Sequence, residues 1–151
     1  MTKILVLSDS HGNKSLLEQI IKQEQYDVVF YLGDGIRDLD YIEIEKPIYK
    51  VAGNCDWFSF ESIQDFISVE NVKVLIAHGH QYHVKNGLSE ILSEAKRKQY
   101  NLVCYGHTHI QKCTTLENIV FVNPGSASVG SYAIVNIQDG KIETVLKNIQ
   151  Y

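Results

Sequence analysis

Lys3-Ile4-Leu5-Val6-Leu7-Ser8-Asp9-Ser10-His11-Gly12-Asn13 decides the fold class of this chain, together with Leu16, Leu17, Ile20 and Ile21 at helical spacing behind it. The first six residues are short and nearly continuously apolar, the pattern of a strand buried on both faces. Asp9 to Asn13 then reads as a turn. Asn13 can accept a hydrogen bond from the next turn of backbone, so a helix is predicted from Lys14 to about Glu24. Strand, polar loop and helix in that order form the unit of an α/β domain.

The same grammar continues outward. Asp27 to Leu32 is a second buried strand ending in Gly33-Asp34-Gly35, and Ile48 to Ala52 a third ending in Gly53-Asn54-Cys55-Asp56. Phe66–Glu70 and Lys73–Ala77 read as two strands with a turn at Glu70-Asn71, the second ending in His78-Gly79-His80. Leu88, Ile91, Leu92 and Ala95 mark the inward stripe of a helix from about Leu88 to Lys98. Leu102 to Tyr105 is a further strand ending in Gly106-His107-Thr108-His109. Beyond it the runs Gln111–Leu116, Ile119–Val122, Tyr132–Ile137 and Ile142–Leu146 alternate without helical period, and Asp139-Gly140 signals a tight hairpin. Antiparallel additions to an α/β first half are expected, with layered sheets covered by helices.

The chain has 151 residues, 44% of them apolar, which suits a single domain over 1–151 burying about two-thirds of its unfolded surface. A net charge of -4 argues against general binding to nucleic acid or anionic membranes, because both need clustered cations. Lys96-Arg97-Lys98 reads as a solvated helix face. Cys55, Cys104 and Cys113 are odd in number and lack CxxC spacing, so neither a disulfide framework nor a cysteine-rich zinc knot is expected. A reducing cytoplasm is the expected setting. No apolar run approaches the roughly 20 residues of a membrane span, and Ile4–Leu7 is too short for a signal-peptide core.

Chemistry concentrates where the strands stop. Any one Asp, Asn or His after a strand is an ordinary turn former. Five successive strand ends, however, present Asp9, His11, Asp34, Asn54, His78, His107 and His109, and ligands in open α/β sheets gather at the carboxyl ends of strands. Seven such groups in one cleft need compensating positive charge, since burying each ion costs several kcal/mol. A mixed oxygen and imidazole set suits divalent Mn, Fe, Zn, Co or Ni, and seven donors suit two ions better than one. A bridging carboxylate would hold such a pair about 3.5–4 Å apart.

These five ordered motifs resemble those of the calcineurin-like metallophosphoesterase superfamily, and the short length is similar to its small bacterial and archaeal phosphodiesterase branch, related to the retromer phosphoesterase-like subunit. The resemblance runs from Met1 to about Val145. It implies a four-layer α/β/β/α sandwich, two mixed β-sheets packed face to face with flanking helices. It also implies one metal on Asp9, His11 and His109, a second on Asn54, His78 and His107, and Asp34 bridging both. Mn2+ is the expected ion, with Ni2+, Co2+, Zn2+ or Fe as other candidates. The implied activity is hydrolysis of a small phosphodiester by in-line attack of a metal-bridging hydroxide. A phosphomonoesterase or nucleotide phosphatase is the alternative enzyme, and a non-catalytic interaction scaffold the alternative from another class. A homo-oligomer is compatible with the resemblance.

One departure stands out. Many superfamily members carry histidine after the Gly-Asn pair, where it protonates the leaving alkoxide, and here that residue is Cys55, a poor general acid. His80 is the candidate replacement donor, beside Asn54 as the other catalytic candidate; the competing reading of His80 is a residue that orients a metal ligand. Asp56 is a candidate to hydrogen-bond either substrate or neighbouring backbone. Gly125 and Ser126, in Asn123-Pro124-Gly125-Ser126, are candidates for phosphate contact or a plain turn. Trp57, Phe58 and Phe60 could stack on a base or an aryl leaving group, but core packing is the expectation. Cys104 and Cys113 are expected to be structural, and His83 to lie on the surface. Thiol nucleophilic chemistry at Cys55 is a further, weaker alternative.

Overall fold

The computed structural model describes residues 1–149; Gln150 and Tyr151, the end of the expected domain, lie outside the described residues. In chain order the elements are β1 (Thr2–Leu7), α1 (Lys14–Gln23), β2 (Val28–Tyr31), β3 (Ile48–Lys50), β4 (Gln64–Val69), β5 (Val72–Ala77), α2 (Ser89–Lys98), β6 (Leu102–Tyr105), β7 (Lys112–Leu116), β8 (Ile119–Asn123), β9 (Ser131–Gln138) and β10 (Lys141–Asn148). They build two five-stranded mixed sheets, ordered β10-β9-β1-β2-β3 and β4-β5-β6-β8-β7.

Each sheet uses both faces. Ile4 and Val6 of β1 point between the sheets, where they join Phe30, Val74, Ile76 and Val135 in one core. Leu5 and Leu7 point the other way, beneath Leu16, Leu17, Ile20 and Ile21 of α1. On the second sheet Leu75, Val103 and Phe121 meet Ile91 and Ala95 of α2. Two sheets face to face with helices outside are the expected four-layer sandwich. The Asn13 side chain caps α1 through the Leu16 N–H, contributing about 1 kcal/mol. The four buried aliphatic residues of α1 contribute about 1.5–3 kcal/mol each, so packing rather than capping holds the helix.

Three local expectations are corrected. β3 stops at Lys50 rather than Ala52, because the Ala52 N–H turns to Ser62 O at 2.9 Å. β8 pairs antiparallel with β7 but parallel with β6, since a tight turn at Glu117-Asn118 folds the chain back between them. Cys113 is exposed on the edge strand β7, whereas Cys104 is buried as expected. The Asp139-Gly140 hairpin joins β9 to β10 with Gln138 opposite Lys141.

The loops after the strands are tied by carboxylates, which matters most for placing the site. Asp56 accepts four backbone N–H groups: Asp34 (2.7 Å) and Gly53 (2.8 Å) on Oδ2, Gly35 (2.8 Å) and Ile36 (3.1 Å) on Oδ1. It thereby locks the loop after β2 to the loop after β3. The buried Asp38 does the same for the loop after β1, accepting from Ser10 Oγ at 2.6 Å and the Gly12 N–H at 2.9 Å. Gly53 is required at this crossing, because a Cβ there would run into the Asp34 carboxylate. Charge-assisted hydrogen bonds of this kind are worth about 1.5–3 kcal/mol when desolvated, and less where water can replace them. Asp56→Ala should therefore lower stability by about 2–3 kcal/mol in urea unfolding and weaken divalent-cation binding about 10- to 100-fold by calorimetry, as loss of an outer support does. Wild-type values on both measurements would show that water takes over the carboxylate's role.

Candidate metal centre

All seven expected metal-binding residues sit in the segments that follow β1, β2, β3, β5 and β6, at the carboxyl ends of both sheets. Five of them, Asp9, His11, Asp34, His107 and His109, have positive φ, between 44° and 72°. Non-glycine residues rarely adopt this conformation, and a run of such positions marks loops held against their local preference.

Asp9 is fully buried. Its Oδ2 accepts from Ser8 Oγ and from the His107 N–H at 3.1 Å. Its Oδ1 is buried without a hydrogen-bond partner, yet His109 Nε2 lies 3.2 Å away, His11 Nε2 3.4 Å and His78 Nε2 3.9 Å. His11 and His109 bring their Nε2 atoms within 3.1 Å of each other. A second convergence lies alongside, with His78 Nε2 3.2 Å from Asp34 Oδ2 and 3.2 Å from His107 Nδ1. The donors thus fall into two groups, Asp9-His11-His109 and Asp34-His78-His107, each with ligand atoms within 4.8 Å of one another.

The surroundings orient these atoms. His78 Nδ1 donates to Leu32 O at 2.8 Å, which fixes the ring and turns Nε2 toward Asp34 and His107. Asp34 Oδ1 accepts the Cys55 N–H at 2.8 Å, and Oδ2 faces both groups, 3.2 Å from His78 Nε2 and 3.8 Å from His11 Nε2. Asn123 Nδ2 donates to Gly106 O (3.2 Å) and Thr108 Oγ1 (2.8 Å), fixing the turn that carries His107 and His109. A Cβ on Gly106 would collide with Ser8 Oγ and Asp9 Oδ2, so the turn can pass this close to Asp9 only with glycine.

Burial would raise the Asp34 carboxyl, but the hydrogen bond and charge of His78 outweigh it and hold the group well below the usual carboxylate range. Burial would lower His78, and Asp34 and Asp9 outweigh that in turn and raise it. His107 is pushed down to about 4, first by burial and then by the charge of His78. An unpartnered buried carboxylate oxygen, a second carboxylate kept ionised and imidazole nitrogens converging on both are a donor set that fits divalent cations. Asn54 is exposed on the turn that begins at Gly53, its Nδ2 3.6 Å from Cys55 Sγ.

Several expected roles change. The Ser126 hydroxyl is buried and donates to Asp9 O at 2.7 Å, and the buried Gly125 N–H donates to Asn123 Oδ1 at 2.9 Å. The Ser126 bond supports the Asp9 loop from below. Asp56 commits both carboxylate oxygens to backbone N–H groups. Cys55 is exposed, and its thiol is pushed up by partial burial and the charge of Asp34, which disfavours a thiolate nucleophile. His80 lies in the cleft wall, its ring 5.5 Å from that of His78, with Nδ1 buried and unpartnered. His83 is on the surface against Glu90. Trp57, Phe58 and Phe60 are exposed by 75%, 86% and 105%, which overturns the expectation of core packing. Ser8, Ser10 and Asp38 support the site although no local signal in the sequence singles them out.

Comparison with known proteins agrees with this geometry. The chain is 31% identical over 152 residues to a probable metallophosphoesterase of Mycoplasma pneumoniae, covering 94% of each chain. It is 29% identical over 143 residues to a phosphodiesterase of Methanocaldococcus jannaschii, covering 82% of each. Among solved structures, a Streptococcus pneumoniae protein described as a predicted phosphoesterase superposes with a TM-score of 0.81 at 25% identity, over 97% of this chain and 89% of that one. Vps29 of Chaetomium thermophilum shares the fold at 16% identity, with a TM-score of 0.78 over 99% of this chain and 97% of that one. The family model for the calcineurin-like phosphoesterase superfamily domain matches residues 2–140, and the chain belongs to that superfamily as a metal-dependent phosphoesterase.

Proposed function

We propose that this chain is a dinuclear phosphodiesterase acting on small phosphodiesters. Asp9, His11 and His109 would hold one ion, Asn54, His78 and His107 the other, and Asp34 would bridge. The observation that carries this reading is the position of Asp34 Oδ2, which faces both donor groups at once. Two bound divalent ions supply an activated water and neutralise the non-bridging phosphate oxygens. Mn2+ suits the mixed donors, and Ni2+, Co2+, Zn2+ and Fe share the preference.

The protein's own contribution is positioning. Ser8 and the His107 N–H hold Asp9 so that one oxygen stays free, and Leu32 O holds His78. Cys55 offers no proton of suitable acidity beside the leaving group. Poor leaving groups should therefore react slowly, unless His80 donates from the cleft wall. The retained set of seven donors supports an enzyme over a scaffold, although the fold is shared with Vps29. Free thiols at Cys55, Cys104 and Cys113 fit a reducing, cytoplasmic setting.

Metal-stripped protein should hydrolyse bis-p-nitrophenyl phosphate only after Mn2+ is added, faster than p-nitrophenyl phosphate, and Asp34→Asn should reduce turnover at least about 100-fold with the fold intact by circular dichroism. A faster monoester reaction would point to a phosphatase, and no turnover with any of the divalent ions to a scaffold. Cys55→His should raise turnover of alkyl phosphodiesters roughly tenfold or more while bis-p-nitrophenyl phosphate changes little. Equal effects on both substrate types would contradict a missing general acid.

A further inference from the structure

Beside the metal centre lies a cavity of about 290 Å³ lined by Gly35, Ile36, Arg37, Cys55, Asp56, Trp57 and Phe58. Its inner wall belongs to the centre itself. Gly35 follows Asp34, and the Cys55 N–H donates to Asp34 Oδ1 at 2.8 Å. Ile36 is buried and gives the cavity an apolar side. Its outer wall is Trp57 and Phe58, both mostly in solvent. Exposed aromatic side chains grouped at the mouth of a site mark a surface that something covers. Phe58 also has φ +66°, a conformation bulky residues seldom adopt. Arg37 is exposed at the rim, and among the described residues no carboxylate lies within 4 Å of it, whereas the chain's other arginine, Arg97, is paired with Glu94.

We propose that this cavity is a subsite for a flat aromatic arm of the phosphodiester, of the nucleobase class, stacked against Trp57 and Phe58, with Arg37 facing the substrate's negative charge. The inference rests on the phosphodiesterase reading for the position of the phosphorus and adds which ester arm is selected. The volume is at the small end of ligand pockets and suits one ring system rather than a second nucleotide. Stacking on an aromatic face tolerates any base, because every base has a π-face, and Arg37 can add charge without reading base edges. The acidic chain would otherwise repel a nucleotide, which makes an unpaired guanidinium at this rim more effective than one elsewhere.

Trp57 is the single tryptophan of the chain, so its fluorescence reads the subsite directly. Adenosine 5′-monophosphate titrated into the Mn2+-supplemented protein should quench it saturably, and ribose 5-phosphate should not. Phe58→Ala and Arg37→Ala should each weaken the adenosine 5′-monophosphate response several-fold. In steady state, Trp57→Ala should raise KM for thymidine 5′-(p-nitrophenyl phosphate) about tenfold more than for ethyl p-nitrophenyl phosphate, the range of one base–aromatic stack. Equal quenching by ribose 5-phosphate, or a Trp57→Ala effect identical for both esters, would overturn the subsite while Mn2+-dependent turnover leaves the phosphodiesterase reading standing. Saturable base-dependent quenching without turnover of any diester would overturn the substrate assignment from the other side.

Discussion

Asp9 Oδ1 is a carboxylate oxygen buried at the carboxyl end of β1 with no hydrogen-bond donor, and imidazole nitrogens of His109, His11 and His78 stand 3.2 to 3.9 Å from it. Leaving a buried charged group unpaired is strongly destabilising. The fold nevertheless devotes further interactions to holding it there, through Ser8 Oγ, the His107 N–H and the close approach that Gly106 permits. A bound cation would relieve that cost, and the positive φ angles of five donor residues fit loops shaped for ligation rather than for folding alone.

The rest of the architecture serves that corner. Packing between the sheets fixes where β1, β2, β5 and β6 end, while Asp56 and Asp38 tie the loops that leave them. The division of labour is plain: dispersion and apolar burial set the frame to within strand spacing, and charge-assisted hydrogen bonds finish the geometry at the scale that ligand atoms need. Because Asp56 spans the loops after β2 and β3 and also borders the cavity of Trp57 and Phe58, the donor set and the neighbouring aromatic wall share one support.

Much of this is legible from residue order. Ile4 to Leu7 read as a doubly buried strand because both faces of β1 are covered, and most donors are visible because they follow such strands closely, Asn54 being the exception beyond a half-buried β3 that ends at Lys50. What stays hidden depends on distance along the chain or on direction. Asp38 meets Ser10 across 28 residues, and nothing local announces the pairing. The parallel pairing of β8 with β6 is invisible because alternation does not encode strand direction. Trp57, Phe58 and Phe60 are exposed although large aromatics tend to bury, because burial depends on what packs over a loop and residue order does not encode that.

If the two donor groups hold a pair of ions sharing Asp34, electron paramagnetic resonance of the protein titrated with Mn2+ will show it most directly. Ions about 3.5–4 Å apart should give an exchange-coupled signal that grows in as the second equivalent binds. An isolated six-line Mn2+ spectrum at every stoichiometry, with one ion per chain at saturation, would contradict a dinuclear centre.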